Sequence, residues 1–434
     1  MNFNKKQILN IHESLEYLKY DDENEITFFG SKSHDLLGHN NSMSMIYFDE
    51  RIKDNYYSIY NAFNKYFKNL SIHFALKCNY IPACIETLLS VGSSIEVMSS
   101  IELQIALQSG FKKDKIVCNG LGKSKEELLI ELENSKLIFI DNINDLERIN
   151  SLSVELGKEI PIGLRVLPDI ESFSHEEVMI KPSSKLGMDV NTVTGILKQC
   201  KEKNVSFNVI GIQFHLMSHL KDCSLYKDYL SSIESFLKNV YHELDYSFKY
   251  INLGGGFETR FIMEDNKTNI NDLAAIANEK LKYLPYDFEL ILEPGRYIMA
   301  DAAVILATII SEKKSTGLNW KITDIGSNIL IPVPNIEYYT IPYKLSDINQ
   351  PWERYNVGDA TCAPSHLCTN VELPSQLIEN KIIVLNCGAY TSVYSELWAF
   401  KLPEIYYLKD NNIQCIFSSN QFRQLFKLAY GYDI

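Results

Sequence analysis

The chain has 434 residues, 46% of them hydrophobic and 22% charged, with a formal net charge of −13. That length exceeds one ordinary core and suits two domains, one of them large. The acidic balance argues against nucleic acid or an anionic membrane as a partner, since both need a basic face, and no apolar run is long enough to span a bilayer.

The start, Met1-Asn2-Phe3-Asn4-Lys5-Lys6, leads into polar sequence without the apolar stretch of a secretory signal. The nine cysteines stand singly, with no Cys-x-x-Cys, which fits reduced thiols and a cytoplasmic setting. Residues 1–44 precede the repeating part of the chain and are expected to join a β domain. Eight apolar, strand-like runs then begin near His73, Ser94, Ile116, Leu137, Ile160, Val209, Tyr250 and Phe288. Between them lie segments of helical periodicity, such as the stripes Ile81, Ile85, Leu88, Leu89 and Ile143, Leu146, Ile149, Leu152. Ser99 with Glu102, and Ser124 with Glu127, have capping-box spacing. Eight strand–helix repeats predict an α/β fold with a (β/α)8 barrel over residues 45–300. An open doubly wound sheet is the alternative, disfavoured by the count of eight. After about residue 301, stretches such as 301–308 and 381–385 read as strands, so 301–434 is expected to be a mostly β C-terminal domain.

Lys77, Glu96, Asn119, Asp141, Arg165, His215, Gly254 and Glu293 fall at the C-terminal ends of the barrel runs. In a barrel those ends meet on one face, where active sites are built. Strand ends are polar anyway, which explains an Asn or an Asp but poorly explains a Lys, an Arg, a His and a Glu converging. A lysine that forms a covalent link to a carbonyl cofactor must be partly desolvated so that a useful fraction is neutral, and the end of a buried strand provides that for Lys77. Gly254-Gly255-Gly256 follows the seventh run, where barrels often close backbone N–H groups on a phosphate; a plain turn would also use glycines. Glu293-Pro294-Gly295-Arg296 ends the eighth run, where the alternative is a surface salt bridge beside a turn. His215 and His219 have a spacing that suits zinc on a helix, but their segment reads as a strand. Cys362, His366 and Cys368 lack a fourth ligand, so no metal is expected. No Gly-x-Ser-x-Gly turn supports a hydrolase triad.

In order, Ala75-x-Lys77-x-Asn79, His215-x-x-Ser218, Gly254-Gly255-Gly256-Phe257, Glu293-Pro294-Gly295-Arg296, the late Cys362 and Gly388-Ala389-Tyr390 resemble the fold-type III pyridoxal phosphate decarboxylases. These include the diaminopimelate and ornithine decarboxylases, with alanine racemase as a more distant relation. Residues 99–103, 119–124, 163–165 and 184–187 extend the resemblance, which runs from about 45 to 405. It implies a barrel plus a β domain, pyridoxal 5'-phosphate as cofactor, a small amino-acid-type substrate, and a homodimer with shared active sites. By the same resemblance Lys77 would hold the cofactor, His215 would stack on its pyridine ring and Glu293 would pair with the ring nitrogen. Ser218, Gly255, Gly256, Arg296 and Tyr390 would bind its phosphate. Arg165, Cys362 and His366 would serve the substrate, with Cys362 reaching in from the partner subunit. A carboxylate at the ring nitrogen favours decarboxylation over racemisation.

The chain departs from that pattern at a few positions. The family commonly reads Gly-Pro-x-Cys-(Asp/Glu)-x-x-Asp around the late cysteine, whereas Ala363 and His366 stand here in the acid positions. A buried substrate ammonium left without its acid costs roughly 2–5 kcal/mol. The expected substrate is therefore a modified or conjugated amino acid, carrier- or citrate-linked, of a siderophore or natural-product pathway. An ordinary diaminopimelate, ornithine or lysine decarboxylase is the alternative, and a non-catalytic decarboxylase-like regulatory binding protein is another. Met217 replaces the usual Gly, and Glu96 stands where Asp is common.

Overall fold

The computed structural model describes residues 5–9, 13–32, 43–168, 184–215, 217–330, 337–345, 349–364 and 366–433. The polar start at residues 1–4 and part of the 1–44 segment lie outside the described residues. The chain forms two compact units, one of Met1–Ile52 with Ile298–Ile434 and one of Lys53–Tyr297. The sequence had suggested divisions near 45 and 300.

The unit Lys53–Tyr297 is a closed barrel of eight parallel strands: Leu70–Ala75, Ser94–Val97, Ile116–Cys118, Leu137–Ile140, Ile160–Leu167, Phe207–Gln213, Tyr250–Asn252 and Glu289–Leu292. Closure is set by register. The first strand pairs with the second (His73↔Ser94) and also with the eighth (Ile72↔Leu292), and the fourth pairs with the fifth (Phe139↔Gly163). An open sheet would leave two of these edges unpaired. The second, third and fourth strands are buried at every residue, as parallel strands covered by helices should be.

The connecting helices follow their sequence signals with two informative differences. Ser124 and Glu127 form a complete capping box at helix Lys125–Asn134. Ser99 accepts from the Glu102 N–H, but the Glu102 carboxylate turns instead to the Met98 N–H (2.7 Å) and the Tyr80 hydroxyl (2.7 Å), so that box is half built. In helix Ile143–Leu156 the residues Leu146, Ile149 and Leu152 are buried, while Ile143 at the helix start is exposed. Leu89 likewise lies at the solvent edge of its stripe.

The other unit is mostly β. Its longest strand, Ala303–Ser315, pairs with Leu318–Thr323, with Lys381–Leu385 and with Ser44–Phe48, all antiparallel. Ser44–Phe48 is wholly buried and pairs on its other edge, in parallel, with Glu404–Lys409. This strand, nearly all of which the sequence had assigned to the barrel, is thereby part of this unit's sheet. A buried ion pair, Arg51 to Asp301 at 2.6 Å, and a hydrogen bond from the Tyr17 hydroxyl to the Asp301 carbonyl pin the N-terminal segment further. Among the described residues, no helix is long and apolar enough to cross a membrane.

Candidate active site

The polar ends of the barrel strands meet at one mouth. Lys77 lies in the turn Leu76–Cys78 just past the first strand, and its Nζ donates to Glu96 Oε2 at 2.6 Å. Glu96 is fully buried while about a third of the Lys77 side chain is accessible, at 32%. Asn119 Nδ2 bridges two carboxylates, donating to Glu96 Oε1 at 2.9 Å and to Glu293 Oε1 at 3.0 Å. Glu293 also accepts from Asn252 at 2.6 Å and from Gln213 at 3.0 and 3.1 Å. All of its hydrogen bonds among the described residues therefore come from neutral amides. Burial, then the Glu96 charge, push its carboxyl up to about 7; Lys77 and the amides of Asn252 and Asn119 oppose the rise.

His215 sits two residues past the sixth strand, half-buried, and its ring Nδ1 accepts the Gly255 N–H at 3.3 Å. Burial, then the charges of Arg165 and Lys77, hold it well below the usual histidine range, so the ring is neutral at ordinary pH. Arg165 donates to the His215 carbonyl at 3.0 Å and lies 3.5 Å from Asp141, whose other oxygen accepts the Gly187 N–H at 2.8 Å. Burial, opposed by Arg165, pushes Asp141 up to about 6.

The glycine run packs tightly between neighbours. A Cβ on Gly255 would lie 2.1 Å from the Glu293 carbonyl oxygen, and one on Gly256 would lie 2.2 Å from the Met217 carbonyl oxygen. Backbone cannot move aside for a methyl group, so only glycine lets these segments touch. Ser218 is half-buried beside them, and Arg296 opens the short helix that follows the eighth strand. The barrel thus gathers Lys77, Arg165, His215, Ser218, Gly255, Gly256, Glu293 and Arg296.

The remaining expected residues belong to the β unit. Cys362 and His366 are exposed on either side of Pro364. Tyr390 is half-buried with a left-handed backbone, φ 60°, just after Gly388, which presses on the Met299 carbonyl oxygen. Neither histidine of the 215/219 pair is on a strand or a helix; both follow the strand that ends at Gln213. Sequence reading passed over Gln213, Asn252 and Glu258. Gln213 and Asn252 carried a signal, being the polar last residues of their strands. Glu258 carried none.

Residues 54–300 match the model of the pyridoxal-dependent decarboxylase pyridoxal-binding domain. The chain belongs to the pyridoxal-dependent decarboxylases. It is similar to the diaminopimelate decarboxylase of Aquifex aeolicus, at 26% identity over 86% of this chain and 88% of that one. To the diaminopimelate decarboxylase of Methanocaldococcus jannaschii the identity is 30%, over 79% and 80% of the two chains. A crystal structure of the M. jannaschii diaminopimelate decarboxylase superposes on 98% of this chain and 99% of its own with a TM-score of 0.85, at 24% identity, a likeness of fold. The decarboxylase is accordingly a carboxy-lyase that uses pyridoxal 5'-phosphate. Its barrel mouth fits that cofactor on its own chemistry. A fully buried carboxylate held only by neutral amides calls for a cation, and a protonated ring nitrogen is one. Buried Asn119 Oδ1 and Gln213 Oε1 find no hydrogen-bond partner among the described residues, so acceptors are available beside it.

Proposed function

We propose that this decarboxylase releases CO2 from diaminopimelate. The observation that carries the reading is its similarity to diaminopimelate decarboxylases over more than three-quarters of both chains. The conjugated substrate expected from Ala363 has no such support. Diaminopimelate also softens the objection from Ala363, because its distal end bears a carboxylate as well as an ammonium. His366 is suited to hydrogen-bond that carboxylate.

When bound, pyridoxal phosphate supplies an electron sink for the pair left behind as CO2 departs. The chain's own residues prepare for it. Lys77 provides the amine that holds the cofactor, and Glu96 orients that amine and exchanges a proton with it across their 2.6 Å contact. Glu293 holds the proton on the ring nitrogen, and Asn119, Gln213 and Asn252 fix the carboxylate without neutralising it. The neutral His215 offers a flat apolar face to the ring. Ser218, the N–H groups of Gly255 and Gly256 and Arg296 would bind the phosphate, and Tyr390 is assigned to it by the family resemblance. Arg165 and His366 receive substrate carboxylates. Cys362 serves the site of a partner subunit in a homodimer, the arrangement implied by the family resemblance and by the exposed position of Cys362.

The test is CO2 release from meso-diaminopimelate, lysine, ornithine and a citrate-linked diamine precursor under one set of conditions. The proposal expects diaminopimelate to lead, with kcat/KM above about 10⁴ M⁻¹s⁻¹. A lead by the citrate-linked compound would reinstate the reading from Ala363.

A further inference from the structure

The histidine next to Ser218 joins Arg296 in a buried cluster whose histidine and glutamate the steps above do not use. His219 Nδ1 is 2.8 Å from Glu258 Oε2, and its Nε2 is 3.3 Å from Arg296 Nη2. Arg296 Nε lies 3.7 Å from the same Glu258 oxygen. The three side chains are 14%, 5% and 6% exposed. A guanidinium can only donate, so Nε2 of His219 accepts; the ring proton is then on Nδ1 and goes to Glu258. Glu258 is fixed in turn, its other oxygen accepting from the Thr259 N–H at 2.9 Å and the Thr259 hydroxyl at 3.3 Å.

The backbone holds the cluster in register. The Leu220 N–H donates to the Gly256 carbonyl at 2.8 Å, and the Glu258 N–H donates to the Leu220 carbonyl at 3.3 Å. This short ladder runs the segment after Ser218 alongside the segment after the glycine run, and so sets His219 beside Glu258. His219 itself has φ 59°, a left-handed conformation that residues other than glycine seldom adopt and that surrounding structure must enforce.

We infer that His219 is a positioning residue for the cofactor phosphate, setting the plane of the Arg296 guanidinium as its hydrogen-bond acceptor while Glu258 fixes the histidine tautomer. The inference rests on the assignment of Arg296 to the phosphate. A planar fork grips a phosphate in two parallel hydrogen bonds only when its plane is set in advance. Two contacts on one guanidinium, at Nε and at Nη2, set that plane. Ser218 and His219 are consecutive, so the same turn that presents the serine hydroxyl also aligns the arginine.

The experiment compares two ligands that differ only in the phosphate. Full-length protein stripped of cofactor is titrated with pyridoxal phosphate and with pyridoxal, followed by the visible absorption that develops on binding. His219→Ala should weaken pyridoxal phosphate by about tenfold, the loss expected when a charged group is no longer held by its hydrogen bond, and leave pyridoxal unchanged. His219→Gln, whose amide oxygen reaches the position of Nε2, should stay within about threefold of the natural protein. Thermal melting of each variant checks folding. Equal weakening of both ligands by His219→Ala, no weakening of either, or a His219→Gln variant as weak as His219→Ala would each overturn the inference. Arg296→Lys is the control. If it leaves pyridoxal phosphate binding intact, the phosphate assignment fails and the inference with it. If it weakens pyridoxal phosphate selectively while His219→Ala does not, the inference alone fails.

Discussion

At the scale of residues the site contrasts two buried carboxylates. Glu96 has a lysine at 2.6 Å; Glu293, among the described residues, is hydrogen-bonded by amides alone. The second arrangement makes the cofactor-free protein sensitive to pH. The Glu293 carboxyl is raised from 4.5 to about 7, so below pH 4.5 it is protonated in the folded and the unfolded chain alike and its full contribution to stability is present. Between pH 4.5 and about 7 the unfolded chain ionises first, and that contribution is lost as pH rises. Glu293→Gln should lack this slope, and urea midpoints of the two stripped proteins across that range check it; parallel curves would contradict the account. Lys77→Ala should give a colourless protein with CO2 release lowered more than about a thousandfold, read by absorption and by a CO2 assay. Lys77 and Glu293 were legible in the sequence because each ends an apolar run and its type is costly there without a purpose, and Arg296 because it closes the Pro-Gly turn that follows. The amides around Glu293 were less legible, since an Asn or Gln at a strand end is ordinary. The cluster of His219 with Glu258 was not legible, because it depends on two loops lying side by side.

At the scale of elements, the barrel's eight strands were readable from apolar runs at regular spacing, and closure followed from their number. The helix faces were readable only in part. Ile143 and Leu89 fit their stripes by spacing yet sit near helix ends, where the stripe passes beyond the surface it covers. Tight loops were harder still, since a glycine run in sequence does not say what presses on it. Two glycines with similar backbone but different surroundings separate the causes. Gly122 has φ +66° with nothing within 4 Å of an added Cβ, whereas Gly256 has φ +90° with the Met217 oxygen at 2.2 Å. Gly122→Ala should cost about 1 kcal/mol, from backbone strain alone. Gly256→Ala should cost roughly 2–4 kcal/mol and weaken cofactor binding, since strain and overpacking add. Denaturant midpoints on both variants test the difference, and equal costs would show that strain alone governs.

At the scale of the whole molecule, the proposed homodimer with shared sites makes a prediction that no single-chain property makes. Chains carrying Lys77→Ala, mixed and allowed to exchange with chains carrying Cys362→Ala, should recover up to about a quarter of natural activity, since half the dimers are mixed and one site in each has both residues. Exchange confirmed by mass spectrometry without recovery would show that each chain completes its own site. The division into a barrel and a β unit was visible as a change of texture near residue 301, but the place of Ser44–Phe48 was less so, because a short, largely apolar run suits either unit. Its partners also set a timetable for the newborn protein. Ser44 pairs with Glu404, 360 positions later, and the first barrel strand waits for Leu290 to meet Leu70. A ribosome adding ~5–20 residues per second needs roughly 20–70 s to cover the first of these distances. Until Ala303 is made the strand Ser-Met-Ile-Tyr-Phe has neither neighbour, and until Glu404 it has only one; for part of that time the lysine strand has no barrel to close. Cofactor capture therefore comes late in synthesis, and the wholly buried strand Ser44–Phe48 needs shielding long before its partners are made.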